Sequence, residues 1–270
     1  MRLLWTYILE CIELIPLIVY YLPGLKVRKH IESNLKVINP VLEKKDCKAI
    51  AKRCLAALGK YVSDIFRLIS EFDKSNLVVE NPEILLRSSK PMICLSGHFI
   101  GFDFSSLLPS HIPVRMLSLY DSTGMNHSLE KWICRYRERG GAKCIPSSKA
   151  YRSILREMST GNSRQLVIGA LADLEPVFSS SQSPVIFFKR YIPFISGIVK
   201  IGIKINADFC YCSIQPLDRG KYSLKFSLLN TTERLTIKKI TQAYATALEN
   251  DISINPYLWI PILFRDLSKY

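Results

Sequence analysis

Apolar positions along this chain change their period as it proceeds. Cys47, Ile50, Cys54, Leu58, Tyr61, Ile65 and Leu68 recur at helical spacing with Lys and Arg between them. That spacing predicts an amphipathic helix over 43–70, its stripe turned to a core or to a membrane. From about Val78 the pattern becomes short apolar runs separated by helical stretches. Strands are predicted at 92–96, 114–119, 166–170, 209–214 and 222–228, with helices at 126–139, 150–159, 196–205 and 236–251. Such alternation predicts an α/β fold, a sheet flanked by helices. The short connection Asp218-Arg219-Gly220-Lys221 suits a hairpin, so the sheet is expected to be mixed.

The first 23 residues, MRLLWTYILECIELIPLIVYYLP, are nearly all apolar but carry Glu10, Glu13 and Pro16. Two carboxylates mid-span suit neither a plain transmembrane helix nor, without a small-residue cleavage site, a signal peptide. Residues 1–24 are therefore expected to form an N-terminal membrane-anchoring helix, and 25–270 one folded domain. The basic stretch that follows, LKVRKHIESNLK, would be drawn to an anionic surface by about 1 kcal/mol per Lys or Arg. The alternative is a helix buried against the domain.

With 270 residues and 48% hydrophobic content, the chain can bury a full core. Its 37 Lys+Arg against 23 Asp+Glu give a formal charge of +14, which favours an anionic partner: nucleic acid, acidic lipid headgroups or an acidic carrier protein. The basic residues are scattered, with no aromatic-interleaved block, so nucleic acid is not expected. Eight cysteines show no CxxC pair and no zinc spacing, which predicts reduced, buried thiols and no metal.

The densest chemistry lies in ICLSGHFIGFDF, residues 93–104. His98 follows an apolar run and a glycine, where open α/β sheets place ligand sites. Asp103, five residues on, would lie in the first turn of a helix over FDFSSLL and could accept the Nδ1 proton, leaving Nε2 as a general base. A structural histidine beside a capping aspartate fits the same spacing. Arg137 and Arg139, at a helix end, suit either phosphate binding or complementing the helix dipole. Asp173 and Glu175, after the apolar run LVIGALA, could orient an acceptor or a metal, or form an exposed turn before Pro176. The nearby Ser96 and Cys94 are the rival nucleophiles, but no GxSxG elbow, P-loop or GxGxxG is present.

The order of these segments resembles the bacterial lipid A biosynthesis late acyltransferases, relatives of the glycerolipid acyltransferases, over nearly the whole chain. That family has a basic segment with Asn-Leu, here Arg28 to Leu35. Its signature Gly-His-Phe-Gly-Asn-Trp-Glu corresponds to Gly97 through Asp103. A helix ending in Arg-x-Arg and a glycine pair corresponds to Asn126 through Gly141, and the later Asp-Gln, Phe-Phe-Gly and Pro-x-x-x-Trp to Asp173-Leu174, Phe187-Phe188-Lys189 and Pro256 with Trp259. The resemblance implies a glycerolipid-acyltransferase-like fold, with His98 and Asp103 catalytic and Arg137, Arg139, Asp173 and Glu175 binding substrate. It also implies acyl transfer from an acyl carrier protein or coenzyme A thioester to a hydroxyl of an anionic membrane lipid, at the cytoplasmic face of a bacterial inner membrane, without a cofactor. Leu174, Lys189 and Gly101-Phe102 depart from the pattern around the presumed substrate site, which points to an altered acceptor.

Overall fold

The computed structural model describes residues 27–71, 74–87, 89–122, 127–175, 182–229 and 235–270. The anchor read at residues 1–24, together with Asn126 and Pro176, lies outside them. Among the described residues no helix is long and apolar enough to cross a membrane.

Two helices open the described chain, α1 (Val27–Ile38) and α2 (Lys44–Glu71). Seven strands then build one sheet: β1 (Leu77–Glu80), β2 (Met92–Ser96), β3 (Val114–Tyr120), β4 (Ala142–Pro146), β5 (Gln165–Leu171), β8 (Asp208–Pro216) and β9 (Tyr222–Leu228). Their order is β1-β9-β8-β2-β5-β3-β4. Five of them, β2, β3, β4, β5 and β8, run parallel; β9 turns back antiparallel to β8 as the hairpin expected around 218–221, and β1 pairs parallel to β9. The connection is too short for the crossover that parallel strands require, and this is what makes the sheet mixed. Two further strands, β6 (Gln182–Phe187) and β7 (Arg190–Ile195), pair as a separate hairpin.

The remaining helices are α3 (Glu83–Leu86), α4 (His127–Arg139), α5 (Ala150–Met158), α6 (Gly197–Lys204) and α7 (Ile237–Ile254). The α2 stripe faces the core: Cys47, Ala51, Cys54, Leu55 and Tyr61 are buried, with Ile50, Leu58 and Ile65 packed against them. All five residues of β2 are buried, as expected of a central strand covered on both faces. The helix predicted over FDFSSLL is instead a 3-10 segment, Phe102–Ser110. Ser105, Ser106 and Ser110 each donate a 2.7 Å hydrogen bond to the carbonyl three residues back, an alternative to the α-helical ladder, and Pro109 removes one of its donors.

Chain order sets where a site can form. The chain leaves β2 toward β3 on one side, and leaves β5 by way of the β6–β7 hairpin toward β8 on the other, yet β2 and β5 are sheet neighbours. The crevice beyond their carboxyl ends is therefore a topological switch point, where open α/β sheets hold ligands.

Candidate active site

Parallel pairing brings the first two site residues together. Ser96 lies opposite Leu171 in the β2–β5 register, and both chains continue for two residues beyond the strands, to His98 and Asp173. Asp173 Oδ1 lies 2.6 Å from His98 Nδ1, and Oδ2 accepts the His98 backbone N–H at 2.8 Å. Trp259 Nε1 also donates to Oδ2, at 2.8 Å. Arg265 donates from Nη1 to the Asp173 carbonyl oxygen. Burial alone would raise the Asp173 pKa, but the adjoining His98 and these hydrogen bonds outweigh it and hold the carboxyl below its ordinary value. The Asp173 side chain is fully buried, while 22% of the His98 side chain stays exposed.

This arrangement corrects the expected pairing. Asp103 does not reach round to His98; it accepts from Tyr61 Oη at 2.6 Å, and from Arg137 Nε at 3.0 Å and Nη2 at 2.8 Å. The 3-10 geometry of 102–110 sends its carboxylate toward α2 and α4, while the residue 75 positions beyond His98 takes the imidazole. Desolvation works against the Arg137 charge, but Asp103 overrides it and keeps the guanidinium firmly cationic. Burial, and then the Asp103 charge, push the Tyr61 phenol well up, so it stays a donor. Phe102 touches both groups, its ring 5.4 Å from the His98 ring and 5.9 Å from the Arg137 guanidinium carbon.

The other two predicted binding residues stand apart from these contacts. Arg139 is exposed in the last turn of α4, and Glu175 is exposed and accepts from Tyr270 Oη. Ser96 is occupied elsewhere, donating to the Cys212 carbonyl at 2.7 Å, and Cys94 lies opposite Cys210 on β8, its thiol pKa lowered by hydrogen bonds from Cys210 and Cys212. Trp259 and Tyr61 acquire roles that spacing did not assign. The Pro256-to-Trp259 match was the one signal pointing to the former.

The loop carrying His98 is held from its outer side. Ile100 N donates to Leu258 O at 2.8 Å and Ile260 N to His98 O at 2.9 Å, so residues 258–260 clamp it like a short strand. Two glycines are required here. A Cβ on Gly97 would sit 2.6 Å from Leu248 Cδ1 and 3.2 Å from Asp173 Oδ2. Gly101 has φ +97°, and its Cβ would come within 2.2 Å of the Tyr222 ring. Beside this loop, a narrow slot of about 40 Å³ runs between the sheet and the 3-10 segment, lined by Ser96, Phe102, Met116, Leu119, Val167 and Arg137 among others.

An imidazole fixed through Nδ1 to a buried carboxylate, with Nε2 left over, is equipped to take a proton from a hydroxyl. The sequence matches the family described as bacterial lipid A biosynthesis acyltransferase over residues 19–266, nearly the whole chain. The chain belongs to this family of acyltransferases. No curated protein compared with it matches. Acyl transfer to a hydroxyl calls for a base for the proton and positive charge for developing negative charge, and the His98–Asp173 pair and the Arg137 cation are side chains of the kinds that can provide them.

Proposed function

We propose that this acyltransferase moves a fatty acyl chain from a carrier-protein or coenzyme A thioester to a hydroxyl of an anionic membrane lipid, in the first instance a lipid A precursor. It would work at the cytoplasmic face of a bacterial inner membrane, with residues 1–24 as anchor. His98 Nε2 accepts the hydroxyl proton as the oxygen attacks the thioester carbonyl. Asp173 holds the tautomer with Nδ1 protonated and stabilises the imidazolium. The tetrahedral intermediate then collapses, the C–S bond breaks, and the imidazolium returns its proton to the departing thiolate. Arg137 offers fixed positive charge to an acceptor phosphate or to the oxyanion. Attack is direct, because Ser96 and Cys94 are tied into the sheet rather than poised on the imidazole.

The 2.6 Å contact between His98 Nδ1 and Asp173 carries this reading. Its test is turnover of acyl thioester with detergent-dispersed lipid acceptors. His98→Ala should lower the rate by about 10² to 10⁴ at unchanged circular dichroism. Activity within tenfold of wild type would remove His98 from the mechanism. The departures from the family pattern at Leu174 and Lys189 motivate testing a second acceptor class, a lysophospholipid or aminolipid, and a panel containing these beside the lipid A precursor separates them by which one gains the chain.

A further inference from the structure

The β6–β7 hairpin has two apolar faces where one would suffice. Its inner row, Val185, Phe187, Ile192 and Phe194, is buried in the core. Its outer row should then be polar, since a ribbon packed on one side alternates. Instead it pairs Pro184 with Pro193 and Ile186 with Tyr191. Ile186 is 51% exposed and Tyr191 76%, the latter among the most exposed large hydrophobic side chains of the described residues.

The turn at the tip is equally unusual. Phe188 and Lys189 both have positive φ, 47° and 61°. A two-residue turn of this kind ordinarily takes Asn-Gly, because a side chain with a Cβ is strained there. This chain instead holds an exposed lysine at the tip, and the Phe188 N–H is secured by Glu249 Oε2 at 2.9 Å. The hairpin is also wired to the active site. Arg265 donates from Nη2 to Pro193 O at 3.0 Å and from Nη1 to the Asp173 carbonyl, while Asn34 of α1 donates to Arg265 O at 2.6 Å.

We propose that the outer face of this hairpin, Pro184, Ile186, Tyr191 and Pro193 with Lys189 at its tip, docks on an anionic lipid bilayer and fixes the height of the active site above it. An apolar strip carrying a tyrosine and ending in a cation matches the water–lipid boundary, where an amphipathic ring and a basic group each find their medium. A second copy of the chain fits less well. Two six-residue strands present a face on the order of 200 Å², against roughly 800 Å² per partner in a stable complex. The inference rests on the reading of the acceptor as a bilayer lipid, but its test needs no turnover, so the two can fail separately.

The experiment uses the full-length protein and vesicles of phosphatidylethanolamine and phosphatidylglycerol. Tyr191→Trp adds a fluorophore to the wild-type tryptophan background, and its added emission should be quenched by phospholipids brominated near the headgroup. Lys189→Gly supplies the sharper arm. Relief of the positive-φ strain should raise Tm by about 2 °C, while loss of the cation lowers vesicle partitioning about fivefold at low salt. The double variant Ile186→Asp, Tyr191→Asp should bind about tenfold more weakly, with turnover on detergent-dispersed acceptor within twofold of wild type. Quenching of the Tyr191→Trp variant no greater than that of wild type would overturn the proposal, and so would a dimer in light scattering that the double variant dissolves.

Discussion

Two largely buried aspartates serve two basic groups in this candidate site, and their partners differ in kind. Asp103 meets Arg137, a cation at every working pH, and satisfies it with two N–H donors on one oxygen. Asp173 meets His98, whose charge can change during a reaction, and divides its oxygens between the ring, the backbone N–H and Trp259. A carboxylate locked to a permanent cation fixes geometry, whereas one locked to an imidazole can also respond to the imidazolium as it forms. The comparison underlies the proposed division of roles, proton transfer for the His98–Asp173 pair and positioning for the Asp103–Arg137 pair.

Asp173→Asn should have the largest effect, because an amide cannot hold the required tautomer. A loss of about 10³ to 10⁴ in kcat is expected, measured in detergent with the acceptor saturating. Asp103→Asn should act first on stability. It strands a largely buried guanidinium, which costs about 3 kcal/mol and lowers Tm by about 8 °C. Rate should fall only about tenfold to a hundredfold as Arg137 shifts, with the shape of the pH–rate profile retained. An altered profile in Asp103→Asn would break the proposed division of roles.

Smaller changes sharpen the same contrast. Gly97→Ala would press a methyl on Leu248 and the Asp173 carboxylate, and overpacking of this kind costs roughly 1–3 kcal/mol. Denaturant unfolding should show that loss, with about a tenfold drop in rate as the pair is displaced. The smallest effect concerns acid stability. The folded-state pKa of Asp173 is depressed, so its contribution to stability is complete above the ordinary carboxylate value and lost only as pH falls through the lower folded value. Between the two values the unfolded chain binds the extra proton, so stability rises with pH there. Asp173→Asn should flatten that part of a Tm-versus-pH curve.

Elements with a strong period were legible in the sequence. The strand predicted at 92–96 is β2, and the helix over 43–70 is α2 to within a residue at each end. β1 and β4 were not anticipated; both lie at sheet edges, where four or five residues with exposed positions give little signal. The β6–β7 hairpin escaped because a ribbon apolar on both faces, broken by Pro184 and Pro193, does not alternate. His98, Asp103, Arg137 and Asp173 were all visible as candidates, but their pairing was not. Local spacing favoured the carboxylate five residues away, whereas strand order, a long-range property, placed the one 75 residues away on the imidazole.

The central claim is that Asp173, and not Asp103, governs the His98 ring. Nitrogen-15 NMR of histidine-labelled protein reports this directly, with His98 assigned by its loss in His98→Ala. Wild type and Asp103→Asn should both show His98 protonated at Nδ1 with a far-downfield proton resonance, and Asp173→Asn should lose that resonance. A signal that survives in Asp173→Asn and disappears in Asp103→Asn would contradict the account.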